Sequence, residues 1–138
     1  SPFKNKMVVA NYSEKEIVDM LRVSSKSLVN TNNKPGIVHV SGLKYKISKN
    51  GELKSASFVD KNGKETPIDI NNPRTDKIYK TALADYYAQG HDGFTMLKKY
   101  DQAEKIYDFD VCKCIEDYMH KHPEPVDIID DGRIQVVD

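Results

Sequence analysis

The apolar positions change period several times along the chain, and each change marks an element. "KMVVANY" (Lys6 to Tyr12) is a short run rich in apolar and β-branched residues and reads as a strand. In the "SEKE" that follows, Ser13 stands at capping-box spacing from Glu16. Ile17, Val18, Met20, Leu21 and Leu28 then recur at helical intervals, which predicts a helix from about Ser13 to about Leu28. "NTNNKPG" (Asn30 to Gly36) ends it with turn formers and a proline.

Three strand-like runs follow, "IVHVSGLKYKISK", "ELKSASFVD" and "KETPIDI", separated by Asn50-Gly51 and Asn62-Gly63. Asn-Gly between such runs predicts hairpins with type I′ turns, in which both central residues take positive φ. The three runs should form an antiparallel meander, with Pro67 placing the third at an edge or ending it early. "DKIYKTALA" (Asp76 to Ala84) resumes strand character. "DFDVCKCIEDYMHKH" (Asp108 to His122) gathers Val111, Cys112, Ile115, Tyr118 and Met119 on one side, so a second helix is expected before Pro123. "GRIQVV" (Gly132 to Val137) reads as a closing strand, and the acidic "EPVDIIDDGR" before it as a solvated connection. The class is α+β: a single domain built on an antiparallel β-meander with two main helices.

Composition narrows the function classes. A chain of 138 residues with 38% hydrophobic content is sized for one core. Its 21 basic and 21 acidic residues balance, so no global field points to a nucleic acid polymer or an anionic membrane. No apolar run is long enough to span a bilayer. Cys112 and Cys114 stand two apart in a helix-like segment and project to nearly opposite faces, so a bridge between them is not expected. No Cys or His pair has zinc-site spacing.

The stretch with candidate chemistry is "TALADYYAQGHDGFTML" (Thr81 to Leu97), where a strand stops at two tyrosines and a carboxylate lies between a histidine and a glycine. An aromatic face stacks on a planar ring, and an ionised carboxylate in a glycine turn accepts both hydrogen bonds of a vicinal diol. The plainer alternative is that Asp-Gly is only a turn and that one of the tyrosines is core. Adjacent His91 and Asp92 make a poor catalytic dyad or metal pair, with no nucleophile or third ligand nearby in sequence. Phe94 and Leu97 are expected in the core. His120 and His122 read as surface residues near a helix C-terminus, and His39 as a residue at the edge of the domain's pocket.

"DYYAQGHDGFTML" resembles the Asn-aromatic-Leu-Ala-x-Gly-Gly-Asp-Gly-Phe segment in the C-terminal domain of 5′-nucleotidases, a family that includes bacterial UDP-sugar hydrolases and ecto-5′-nucleotidases. "PFKNKMVVANYSEKEIVDMLRVS", "IVHVSGLKYKIS" and "DGRIQVV" are similar to the family's opening strand and helix, its Gln-Val-Ser-Gly-Leu-x-Tyr strand and its closing Gly-Arg-Ile strand. The resemblance covers nearly the whole chain. It implies that residues 1–138 are the substrate-recognition domain of a longer phosphoesterase, whose two divalent metal ions and catalytic residues belong to an N-terminal metallophosphoesterase domain not represented in this sequence. It implies a parent that hydrolyses nucleoside phosphate esters, as a 5′-nucleotidase or a 2′,3′-cyclic nucleotide 2′-phosphodiesterase, and this fragment alone should be inactive. The partners implied are a nucleoside or nucleotide and that N-terminal domain, and the implied location is extracellular, cell-surface or periplasmic.

Residue by residue, Tyr86 falls on one of the two aromatics that sandwich the base, Asp92 on the carboxylate that binds ribose, and Gly90 and Gly93 on glycines that shape the loop. Three departures matter: Ile37 stands where the second aromatic is expected, Asp85 replaces Asn, and His91 replaces the second Gly of the pair. The substrate-binding candidates are therefore Tyr86, Asp92, Ile37, Gly90, Gly93, Asp85 and His91, with no catalytic or metal-binding residue. Ile37 also motivates an alternative, a nucleoside-binding or structural module without a catalytic role.

Overall fold

The structure, a computed structural model, describes residues 6–27, 42–107, 127–129 and 133–137. Its elements are β1 (Met7–Ser13), α1 (Glu14–Lys26), β2 (Leu43–Ser48), β3 (Leu53–Val59), β4 (Glu65–Ile68), β5 (Ile78–Ala84), α2 (Asp85–Ala88), β6 (Lys105–Tyr107), β7 (Asp127–Ile129) and β8 (Arg133–Val137), with single-turn 3-10 segments between α2 and β6. The expected second helix, Ile37, His39, the two cysteines, His120 and His122 lie outside the described residues.

The strands form two four-stranded sheets, in the orders β6-β1-β5-β7 and β4-β3-β2-β8. The expected meander is β2-β3-β4, antiparallel throughout. Pro67 sits in β4 at the sheet edge, where its missing N–H leaves no ladder bond unmade. The closing strand is present as β8, but it joins β2 in parallel, and β7 likewise joins β5 in parallel, so both sheets are mixed. Asp127–Ile129 therefore lies in a strand and not in a solvated connection. The two consecutive isoleucines there are a better guide than the acidic residues around them.

The Asn-Gly turns also differ from expectation. Only the glycine of each pair has positive φ, +85° at Gly51 and +83° at Gly63. In both loops the glycine N–H closes a four-residue turn, onto the Ser48 carbonyl at 3.0 Å and the Asp60 carbonyl at 2.9 Å. This is a type I turn followed by a left-handed glycine, the bulged hairpin and not the two-residue I′ loop. Side chains select it: Asp60 Oδ1 accepts from the N–H groups of Asn62 and Lys64, both at 2.9 Å, and the Ser48 hydroxyl bonds Asn50.

Helix α1 begins where the sequence says it should. The Glu16 N–H donates to Ser13 Oγ at 3.1 Å and the Ser13 N–H donates to Glu16 Oε1 at 2.9 Å, which completes the capping box. Its inner face buries Ile17, Val18, Met20 and Leu21 in one cluster with Val8, Ala10 and Tyr12 of β1, Leu43, Tyr45 and Ile47 of β2, and Leu83 of β5. Each such side chain contributes about 1.5–3 kcal/mol. The serines that α1 buries with them are satisfied: Ser25 donates to the Leu21 carbonyl at 2.7 Å, and Ser24 shares a 3.1 Å hydrogen bond with the Tyr45 hydroxyl. Met7, Val8, Val9 and Ala10 are all buried, so β1 is covered on both faces. Phe94 and Leu97 belong to the same cluster, as expected, and the candidate site is thereby built directly on the core.

Candidate functional site

Strand β5 ends at Ala84, and the Asp85 N–H donates to the Lys6 carbonyl at 2.9 Å, tying the departure point to the start of β1. One helical turn, α2, follows and is stopped by Gly90 at φ +80°. A Cβ at Gly90 would lie 3.1 Å from Lys98 Cβ, so this position requires glycine for its backbone and for its close approach. Asp92 (φ 58°) is the one non-glycine residue with positive φ among those described, and Gly93 (φ +85°) comes next. An aspartate tolerates the left-handed region better than most residues, because its short side chain finds local hydrogen bonds.

This backbone reversal brings Tyr86, His91 and Asp92 together at the surface. The Tyr86 hydroxyl donates to Asp92 Oδ2 at 2.6 Å. That hydrogen bond is the main reason the Tyr86 phenol is held above its ordinary pKa: ionisation would lose the donor and set two negative charges together. The His91 ring lies over Tyr86 with centroids 4.7 Å apart and planes 27° from parallel, and its Nε2 is 3.1 Å from Gln89 Oε1. The imidazole is thus engaged by Tyr86 and Gln89 and not by Asp92, which gives the dyad reading no geometric support. Asp85 opens α2 beside the cluster, and its carboxylate takes no hydrogen bond among the described residues.

The cluster is connected to the core through rings. Buried Phe94 meets half-buried Tyr87 edge-on at 5.3 Å, and Tyr87 meets Tyr86 edge-on at 5.8 Å. Tyr86 itself remains 44% exposed, so its ring is accessible from solvent. Of the two tyrosines, Tyr87 therefore packs inward and Tyr86 faces out.

Lys99 anchors the far end of the loop, a role that sequence reading missed because its partners are remote. Its N–H donates to the Ala88 carbonyl at 3.0 Å, its Nζ donates to Glu16 Oε1 and to the Asn11 carbonyl, both at 2.8 Å, and it lies 5.0 Å above the Tyr12 ring. The Tyr12 hydroxyl in turn donates to the Leu97 carbonyl at 2.7 Å. Burial alone would raise the Glu16 pKa, but the hydrogen bonds from Lys99 and the Ser13 backbone outweigh it and hold the carboxyl below its ordinary value. A lowered carboxyl pKa contributes stability that is complete above the unfolded value, near about pH 4.3, and fades as pH falls through the folded one. Lys99→Met should therefore cost about 1 kcal/mol at neutral pH, allowing for partial exposure, and clearly less near about pH 3. Denaturant midpoints at the two pH values check this; equal losses at both would mean that Lys99 acts by packing alone.

Among the described residues no group of three or more His, Cys, Asp or Glu side chains is placed to hold a metal ion, and no helix is long and apolar enough to cross a membrane.

The profile of the family described as 5′-nucleotidase, C-terminal domain, matches residues 1–99. Among solved structures, the chain is similar to the NAD nucleotidase of Haemophilus influenzae, with TM-score 0.63 and 18% identity over 99% of this chain and 25% of that one. It is similar as well to a 5′-nucleotidase precursor from Thermus thermophilus, with TM-score 0.62 and 23% identity over 99% of this chain and 26% of that one. The chain thus spans about a quarter of the length of these proteins, and the likeness to them is one of fold. No curated protein sequence matches the chain. A family profile that covers well over half of the chain, on a fold shared with nucleotidases, settles the membership: the chain belongs to the 5′-nucleotidase C-terminal domain family.

Proposed function

We propose that this domain holds the nucleoside part of a phosphate ester for a hydrolase, with the base on the exposed face of Tyr86 and ribose hydroxyls on Asp92. The observation that carries this reading is the outward-facing Tyr86 ring set next to a carboxylate, both fixed to the core by a single loop. Family membership supports a phosphoesterase parent, and the reaction we propose for it is that of a 5′-nucleotidase or a 2′,3′-cyclic nucleotide 2′-phosphodiesterase. The reaction would take place at two divalent ions on another domain of the parent polypeptide, which supply Lewis-acid activation of the attacking water. The work of the present residues is to bind and orient. The precursor form of one structural relative supports an exported parent.

Stacking of a base on an aromatic ring contributes about 1–3 kcal/mol, and a hydroxyl on a carboxylate about 1.5–3 kcal/mol. Together these contributions come to about 2.5–6 kcal/mol, which brackets the roughly 4 kcal/mol of a millimolar dissociation constant, so the domain alone should bind in about that range. Titration with adenosine, AMP and 2′,3′-cyclic AMP should shift the amide resonances of Tyr86, His91 and Asp92. Tyr86→Ala should weaken binding about tenfold while the rest of the spectrum stays in place. A spectrum that does not move at millimolar ligand would overturn the recognition role and leave a structural module.

A further inference from the structure

We propose that the Tyr86 hydroxyl is a specificity latch on Asp92: by occupying Oδ2 it makes this site nearly indifferent to whether the sugar carries one hydroxyl or a vicinal pair. The proposal rests on the nucleoside reading above and goes beyond it, from where the sugar binds to which sugars are accepted.

A free carboxylate receives a cis-diol with one hydroxyl on each oxygen, and each hydrogen bond is charge-assisted. Here the oxygen nearer the stacking ring is already engaged. The Tyr86 hydroxyl donates to Oδ2 at 2.6 Å, the length of a well-formed hydrogen bond from a hydroxyl to a carboxylate. A phenol stays protonated, and so a donor, across the neutral range, and the hydrogen bond to Asp92 only strengthens that preference. The first sugar hydroxyl finds Oδ1 open and gains in full. A second reaches Oδ2 either at its remaining lone pair, where it shares an acceptor that already takes the charge-assisted hydrogen bond of the phenol, or by displacing the phenol, so it gains far less than the first. Its net contribution is small, whereas the same hydroxyl on an unlatched carboxylate would be worth about a tenfold gain in affinity.

The aromatic platform does not depend on the latch. His91 stacks on one face of Tyr86, Tyr87 meets it edge-on, and Gln89 holds the imidazole. A phenylalanine at this position keeps the ring, its supports and the surface it offers to a base. Tyr86→Phe consequently removes the hydroxyl from Oδ2 without removing the site.

The experiment is a four-way titration of the 138-residue chain: adenosine and 2′-deoxyadenosine, each against the native protein and Tyr86→Phe, followed by amide shifts. In the native chain the two nucleosides should bind within about threefold of each other. In Tyr86→Phe, adenosine should gain and 2′-deoxyadenosine should not, opening a preference of about tenfold. A tenfold preference already present in the native chain, or a ratio that Tyr86→Phe leaves unchanged, would overturn the latch while leaving the nucleoside site standing. Binding of neither nucleoside would overturn the site and the latch together.

Discussion

Phe94→Ala should lower the free energy of unfolding by about 3–5 kcal/mol, the largest stability loss expected from any single substitution in the loop that carries the candidate site. Phe94 is fully buried and shares the cluster that unites α1, β1 and β2, so its removal leaves a cavity that the close-packed side chains around it cannot readily close. Against a total stability of about 5–15 kcal/mol, the loss is large enough to populate unfolded chain at physiological temperature. The substitution should also act at the surface. Phe94 supports Tyr87 edge-on and Tyr87 supports Tyr86, so the outer ring loses its backing even in molecules that remain folded. Phe94→Leu separates the two effects: it keeps most of the volume, should cost no more than about 1.5 kcal/mol, and still removes the aromatic edge. Denaturant midpoints measure the first effect, and nucleoside affinity of the Leu variant measures the second. An Ala variant less than about 1 kcal/mol below native would mean that the loop does not share the core.

How much of this was legible in the sequence depended on whether the determinant was local. The start of α1 is written in Ser13 and Glu16, and the inward set Ile17, Val18, Met20 and Leu21 in their spacing. The edge position of β4 follows from Pro67, and the inward turn of Phe94 and Leu97 from their place after a glycine-rich reversal. What period and turn chemistry do not encode is which strand pairs with which. Strand β1 lies between β5 and β6, whose residues are remote in sequence, and β7 and β8 attach in parallel at the far sides of the two sheets. The hairpin turn type was misread for a related reason: Asn-Gly favours the I′ loop in isolation, but Asp60 and Ser48 offer side-chain hydrogen bonds that stabilise the bulged alternative. At the candidate site, family resemblance marks Tyr86 and Asp92, yet not the hydrogen bond between them. It marks His91 as a departure from glycine, yet not that its ring would lie on Tyr86. Both follow from the left-handed conformations at residues 90, 92 and 93, a property of the folded backbone.

Asp92→Gly should lower nucleoside affinity about tenfold to a hundredfold while changing stability by less than about 1 kcal/mol. The stability terms oppose one another. Asp92 sits at φ 58°, where a residue with a Cβ is strained by about 1–2 kcal/mol and glycine is not. Glycine returns part of that gain through the larger entropy of its unfolded chain, and the substitution also loses the exposed hydrogen bond to Tyr86, worth at most about 1 kcal/mol. The binding terms do not oppose: glycine offers no acceptor to the sugar at all. Asp92→Asn should fall between, because it tolerates the same φ and keeps one carbonyl oxygen but replaces the charge. The order Asp, Asn, Gly should therefore appear in nucleoside affinity and be absent from the unfolding midpoints. A loss of more than about 2 kcal/mol in the Gly variant would make Asp92 a residue held for the fold, and unchanged affinity in a folded Gly variant would move the sugar elsewhere. If both measurements come out as expected, a strained carboxylate is being retained at the tip of a loop for a ligand, since the fold itself would be served as well by glycine.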